Sequence, residues 1–463
     1  MTPGARIQAS IELIDDILAN PRKPADALVG AYFRNRRYIG SSDRREVAER
    51  VYGILRRLAQ LGWWLKRGGR VSPPDGRLLV AADLALHEAW TLERLQRNFD
   101  GDRFKPEKLD HDERQVLEHV VGHGLDHPEQ TDAVRFNIPD WIEPQLRETF
   151  GADWQAEYKA LRQAAPLDLR INTLKGDREQ AVAALAAEQI QTQPSALSPL
   201  GLRATGRPPL VTGPAFKSGL VEIQDEGSQL VALLAGARPG MRVVDFCAGA
   251  GGKTLALAAG MDNKGSLVAC DISAPRLERA ITRLRRGGVH NVTQRPLDAA
   301  GRKWIKRSAG SFDRVLVDAP CSGTGTWRRN PDARWNLTQQ DIDELKVKQA
   351  AILADAARLV KPGGRLVYAT CSLLPEENDR QVEHFLAGHP DFALVPIEQA
   401  WREALGAAPP PAIEGQMLHL TPARHDTDGF FVAVLERRKG ARTDADAPPT
   451  DSDAAAAERE AAT

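Results

Sequence analysis

At 463 residues the chain is too long for one ordinary domain and predicts two or three. A hydrophobic content of 42% with 27% charged residues is that of a globular protein with a sizeable core, and no apolar run approaches the roughly 18 residues of a membrane span. The formal net charge is zero, but residues 441–463 hold six acids against two arginines and leave the remainder at +4.

Acids interrupt the apolar part of the first twenty residues, so no signal peptide is read there and a cytoplasmic protein is expected. The four cysteines are Cys247, Cys270, Cys321 and Cys371, and none forms a CxxC pair. Neither a zinc site nor a thioredoxin motif is supported, and no metal is expected. In a reducing compartment each cysteine is then a small buried residue or a functional thiol.

Residues 1–130 read as an all-α module. Ile7, Ile11, Ile14 and Leu18 recur close to a 3.6-residue period. Asp43 and Glu46, three apart, predict a capping pair at the start of a long helix. Another apolar helix is expected through 78–90. Residues 33–70 carry eleven Arg or Lys against three acids, a basic footprint of the sort polyanions select.

Residues 131–235 change character and predict a small α+β subdomain. LDLRINT at 167–173 reads as a strand and 178–189 as a helix, with short strands around 200–204 and 219–224. Arg170, Lys175 and Lys217 could touch phosphates or be surface charges.

Residues 236–439 alternate strand and helix. Strands are expected at 242–246, 267–271, 313–318, 364–370 and 430–435, and helices at 252–260, 274–287, 338–360 and 376–387. Such alternation predicts an α/β, doubly wound, mainly parallel sheet. Residues 440–463 lack apolar periodicity and are expected to be a disordered tail.

RVVDFCAGAGGKT at 242–254 is a strand, a glycine-rich turn and a helix start. Such a turn lets a ligand approach the backbone. A Walker A loop needs glycine where Cys247 stands, and a dinucleotide fingerprint needs a third glycine where Thr254 stands. S-adenosylmethionine remains. It has no phosphates and needs a carboxylate at the end of the next strand for its ribose. Asp271 lies 20 residues after Gly251 and fits, although it could simply be an acid at the start of the next helix. Asp298 follows the expected third strand and could reach the adenine edge.

Cys321 and Cys371 each stand just past the end of an expected strand, in DAPCSGTG and YATCSLL. In an open α/β sheet ligands and chemistry sit there. A lone buried cysteine is usually structural, but two at corresponding strand ends suggest a reacting pair. Cytosine carbon 5 is a poor nucleophile. A thiolate added to carbon 6 makes it reactive towards a methyl group, and a second group must then help release the product.

DFCAGAGGKT, DAPCSGTGTWRRNPDARW, YATCSLLPEEN and HDTDGFFVAVLER together resemble the motifs of RNA 5-methylcytosine methyltransferases of the Sun/Nop2 type. RRYIGSSDRREVAERVYGILRR at 36–57 resembles the NusB-like RNA-binding helical domain, so the nearest likeness is to the bacterial subgroup that methylates 16S ribosomal RNA. The resemblance implies a Rossmann-like S-adenosylmethionine methyltransferase domain after the NusB-like and α+β parts. It implies that Cys371 is the nucleophile, that Cys321 assists release, and that Lys253 and Asp318 sit beside the reacting groups. Cys247, Ala248, Gly249, Ala250, Gly251, Gly252 and Lys253 would line the cofactor with Asp271, Asp298 and Asp318. The family loop usually reads CAAPGGKT; Gly249 and Ala250 depart from it, and Ala250 lacks proline's fixed φ. RNA is the implied partner, ribosomal rather than transfer RNA on the strength of the helical start, and a monomer is expected. A rival of another class is an RNA-binding assembly factor whose methyl transfer is dispensable. Trp327, Arg328, Arg329, Asn330 and Trp335 could stack on unpaired bases, with Trp335 the one expected in the core.

Overall fold

The computed structural model describes residues 1–70 and 72–440. The tail expected to be disordered lies outside the described residues, apart from Gly440. The N-terminal region is helical, from Pro3–Ala19 through Ala25–Asn35, Ser41–Arg67 and Gly76–Leu86 to His111–Glu118. Ile7, Leu13, Ile14, Val47, Val51 and Leu79 share its core, each such side chain contributing about 1.5–3 kcal/mol on burial. Gly76–Leu86 is buried almost all round, which is why its sequence shows no polar face.

Asp43 and Glu46 do not cap their helix. It begins at Ser41, with Gly40 at the N-cap and no side-chain cap. Asp43 therefore stands in the first turn, too late to cap, and accepts from Arg6 Nη1 at 3.0 Å and the terminal ammonium at 2.7 Å. Glu46 pairs with Arg6 Nε at 2.8 Å. The two acids tie the long helix to the first one instead. Much of the basic stretch is also neutralised internally, through Arg36–Glu12, Arg50–Glu88 and Arg57–Asp83. Arg34, Arg37, Arg45 and Lys66 stay exposed, as does Tyr38.

A four-stranded antiparallel sheet follows, in the order Thr192–Pro194, Gly201–Ala204, Leu167–Ile171, Val221–Ile223. Leu169 and Ile171 pack with Leu185 of helix Arg178–Ala187. Arg170 faces the other way and is fully buried, with Nε donating to Gln224 at 2.6 Å. Burial pulls its guanidinium down to about 10. It is not available to an external phosphate.

The large sheet runs Phe392–Val395, Phe430–Arg437, Val360–Thr370, Phe312–Asp318, Arg242–Asp245, Ser266–Asp271, Val292–Pro296, with Leu418–Leu420 added on Phe430–Arg437. The five strands from Val360–Thr370 to Val292–Pro296 are parallel, and Phe430–Arg437 is antiparallel to its neighbour. Helices Gly252–Gly260, Ala274–Arg286, Gln339–Ala357 and Asp379–Gly388 fall where the alternation puts them. The fold is thus α/β and doubly wound. The chain leaves Arg242–Asp245 towards one edge and returns at Phe312–Asp318 on its other side, so the switch point lies between these two strands. Ligands bind outside the carboxyl ends of the strands at such a point. Among the described residues no helix is long and apolar enough to cross a membrane, and no cluster of metal-ligating side chains occurs.

Candidate active site

The loop after Arg242–Asp245 turns on two glycines in the left-handed region, Gly249 at φ +54° and Gly251 at φ +79°. A Cβ at Gly251 would stand 2.9 Å from Ala280 Cβ, so helix Ala274–Arg286 packs directly on this backbone. Gly249 faces open space, which a ligand can approach. Asp271, buried at the end of the next strand, accepts from Gly249 N–H at 2.9 Å and from Ser273 N–H at 2.7 Å. It fixes the loop and the turn ahead of helix Ala274–Arg286 but stands two residues before that helix's N-cap, Ser273, and does not cap it; each of its oxygens keeps a free lone pair.

Lys253, in the first turn of helix Gly252–Gly260, donates to Asp318 Oδ2 at 2.7 Å. Burial pulls the ammonium down, but the charge of Asp318 and this hydrogen bond outweigh it and hold the lysine above its ordinary value. It stays protonated, and its charge bears on Cys371. Asp318 thus pairs the lysine, and the charge of Asp245 also bears on it. A loop flanked by the carboxylates of Asp271 and Asp318, with its one lysine already paired, suits a cationic ligand such as a sulfonium and opposes a polyphosphate.

Asp318 and Ala369 are register partners on adjacent parallel strands, which places Cys321 and Cys371 in neighbouring turns. Their sulfurs are 3.3 Å apart, and both residues are partly exposed. The hydrogen bond to Cys371 raises the Cys321 thiol well above its ordinary range, with burial and the charges of Cys371 and Glu377 acting in the same direction. Cys321 therefore holds its proton and can donate it towards Cys371. Cys247 and Cys270 differ: burial raises both, Cys270 lies in the core, and Cys247 packs partly exposed at its margin beside the loop.

Residues 232–436 match the family of 16S rRNA methyltransferases RsmB/F, and residues 138–210 its ferredoxin-like domain. The probable ribosomal RNA small subunit methyltransferase B of Synechocystis sp. is 33% identical over 416 residues, 85% of this chain and 91% of that protein. The chain belongs to the RsmB/F family of rRNA methyltransferases. The solved structure of PH0851 aligns with this family member at a TM-score of 0.77 and 29% identity, over 94% of this chain and 99% of that one. A methyltransferase homolog protein from Pyrococcus horikoshii aligns at 0.56 and 28%, over 67% and 100%.

Other expected site residues are placed differently in this RsmB/F-family chain. Asp298 is exposed and caps helix Ala299–Arg307 through Gly301 N–H at 2.9 Å, so one of its oxygens already has a structural partner. Trp327, not Trp335, is the core tryptophan: it is fully buried, with Arg334 over its ring. Trp335 is partly exposed and donates to the Leu55 carbonyl at 3.2 Å. Arg328 is buried and Arg329 is partly exposed, and both are tied into ion pairs within the protein. Arg329 is held by Asp225 at 2.8 Å and by Asp428, and Arg328 by Asp426 and Asp428 at 3.3 and 3.4 Å. Asn330 is exposed and lines a cleft of about 980 Å³ that reaches Cys321. Arg22, Lys23 and Arg276 also line it, as do Asp26, Asp341 and Glu344. The sequence carries no sign that the loop after the first helix faces this cleft.

Asp245 supplies a test of the loop's electrostatics. It is fully buried; Oδ2 accepts from Thr254 at 2.7 Å and Oδ1 has no partner. Burial raises its carboxyl to about 7, against about 3.9 in an unfolded chain. The folded state holds this proton more tightly. The group therefore favours folding most below about pH 4, and its contribution is lost as pH rises towards 7. Asp245→Asn stays neutral throughout. The fall in melting temperature between pH 5 and pH 8 should shrink by a few degrees, as read by scanning fluorimetry. An unchanged fall would show Asp245 to be ionised in the fold across that range.

Proposed function

We propose that the chain forms 5-methylcytosine in 16S ribosomal RNA, with S-adenosylmethionine as methyl donor. The observation that carries this reading is the pair of sulfurs 3.3 Å apart at the switch point, beside the glycine turn and the Lys253–Asp318 pair. The donor's binding residues are the 247–253 loop, Asp271 and Asp318, with Asp298 at the outer edge. When bound, S-adenosylmethionine supplies an electrophilic methyl group.

Cys371 is the nucleophile. Cys321 keeps its own proton and is the poorer nucleophile, which leaves the attack to Cys371. Its sulfur adds to carbon 6 of the cytosine, and electron density moves to carbon 5. Asp318 keeps Lys253 charged and oriented while this happens. Once carbon 5 carries the methyl group, its proton must leave so that the carbon–sulfur bond can break; Cys321 is placed to take it. The base must leave its stack to reach these sulfurs, and the cleft beside Cys321 is the way in. The exposed Arg34, Arg37 and Arg45 of the helical region offer charge to the RNA backbone.

The reading is tested by incubating the protein with methyl-labelled S-adenosylmethionine and 16S RNA, then mapping 5-methylcytosine by bisulfite sequencing. A single protected cytosine is expected. Label at an adenine, or none in any RNA, would overturn it.

A further inference from the structure

Four hydrogen bonds converge on a carboxylate that no step above uses. Glu377 lies in a short helical turn, Pro375–Glu377, six residues past Cys371, and is fully buried. Its Oε1 accepts from Ser322 N–H at 2.9 Å and from Gln349 Nε2 at 3.0 Å. Its Oε2 accepts from the hydroxyls of Ser322 and Ser372. Ser322 follows Cys321 and Ser372 follows Cys371, so one side chain holds both cysteine turns.

The surroundings tighten this arrangement. Gln349, on helix Gln339–Ala357, also donates to the carbonyl of Pro320 at 3.0 Å, just before Cys321. The Ser372 hydroxyl accepts from Leu374 N–H at 3.0 Å, and Thr324 accepts from Leu373 N–H at 2.8 Å. Tyr368 donates to the Glu377 carbonyl at 2.7 Å, and Asn378 donates to the Ser372 carbonyl at 2.9 Å. A carboxylate without water is costly unless its lone pairs are filled, and here four donors fill them. Packing alone would have chosen an apolar residue. A buried acid whose carboxylate bridges the two reacting turns, with one glutamine as its further donor, points to a positional role.

We propose that Glu377 is a positioning residue that clamps the Cys321 and Cys371 turns together and so sets the separation of the two sulfurs. This rests on Cys321 and Cys371 being the reacting pair. A carboxylate accepts from both turns at once. An amide has one acceptor oxygen: at the Oε2 position it sets its NH2 against the donors Ser322 N–H and Gln349 Nε2, and at the Oε1 position it loses both hydroxyl donors, so Glu377→Gln breaks part of the clamp in a side chain of the same size. Misplacing a reacting group by about 1 Å costs on the order of 100-fold in rate.

The test combines steady-state kinetics with thiol cross-linking by dibromobimane, which becomes fluorescent when it bridges two nearby sulfurs. In Glu377→Gln the expected result is a kcat lowered about 100-fold with KM for RNA and donor unchanged. Cross-linking yield should fall while each thiol still reacts singly with iodoacetamide. Ser322→Ala removes one donor and should lower kcat about 10-fold; it decides the matter if the glutamine variant does not fold. Wild-type kcat and cross-linking in the variants that fold would overturn the clamp. So would a loss that tracks the unfolded fraction in a thermal melt. The cross-linking needs no RNA. A wild-type protein that methylates no cytosine would end the proposed function while leaving the clamp to be judged.

Discussion

Cys371→Ala should abolish methyl transfer, lowering kcat on the order of 10⁴-fold or more while the protein still binds RNA. The size follows from the chemistry. Carbon 5 of cytosine becomes nucleophilic when a thiolate has added to carbon 6, and alanine offers nothing to add. The neighbouring sulfur is a poor substitute. In the variant its hydrogen bond to Cys371 is gone, but burial and the negative charge of Glu377 still raise the Cys321 thiol. Stability should change little, because the Cys371 side chain is partly exposed. The check is a single-turnover assay with labelled donor, beside a thermal melt. Methylation within about tenfold of wild type would remove Cys371 from the nucleophile's role.

Cys321→Ala should leave the first step intact and block the last. Its product is a covalent protein–RNA complex that survives a denaturing gel, up to one per active site, where wild type shows almost none. The two thiols exchange roles in sequence. Before attack, the hydrogen bond to Cys371 and its charge lift the Cys321 thiol and keep it protonated. Once Cys371 is bonded to carbon it is neutral, so these two causes lapse while burial and Glu377 remain, and Cys321 gives its proton to water in the adjoining cleft before it acts. As a thiolate it takes the carbon-5 proton; the carbon-5–carbon-6 double bond re-forms and Cys371 departs. A gel with labelled RNA reads the complex directly, and the double variant Cys321→Ala with Cys371→Ala should lose it. Turnover without the complex would assign release to another base, with Asp318 the nearest candidate by register.

The two single-site results separate the proposed function from its rival. An assembly factor that only binds RNA would show neither the loss nor the trapped complex. The family assignment makes the chain an rRNA methyltransferase of the RsmB/F family; the trapped complex would make it a cysteine-dependent cytosine enzyme.

Much of this protein is written in local spacing. Alternating strand and helix patterns put four of the five parallel strands within a few residues of their observed positions, because periods of 2 and 3.6 are set by backbone geometry alone; the pattern marks no range for Val292–Pro296. The glycine turn and the two cysteine turns were legible for a similar reason: each is a short loop whose small residues have one local use. Tertiary structure alone decided which charged and aromatic side chains are free. Arg329 reads as an RNA contact from its neighbours, but its partners Asp225 and Asp428 lie 104 and 99 residues away. Trp327 and Trp335 exchange their expected places because burial depends on which helices pack over them. Glu377 follows Glu376 in the chain, and nothing local marks it as a clamp; that depends on Ser322, 55 residues earlier, lying beside it. Local sequence determines period and turn, whereas burial and pairing are properties of contacts between residues remote along the chain.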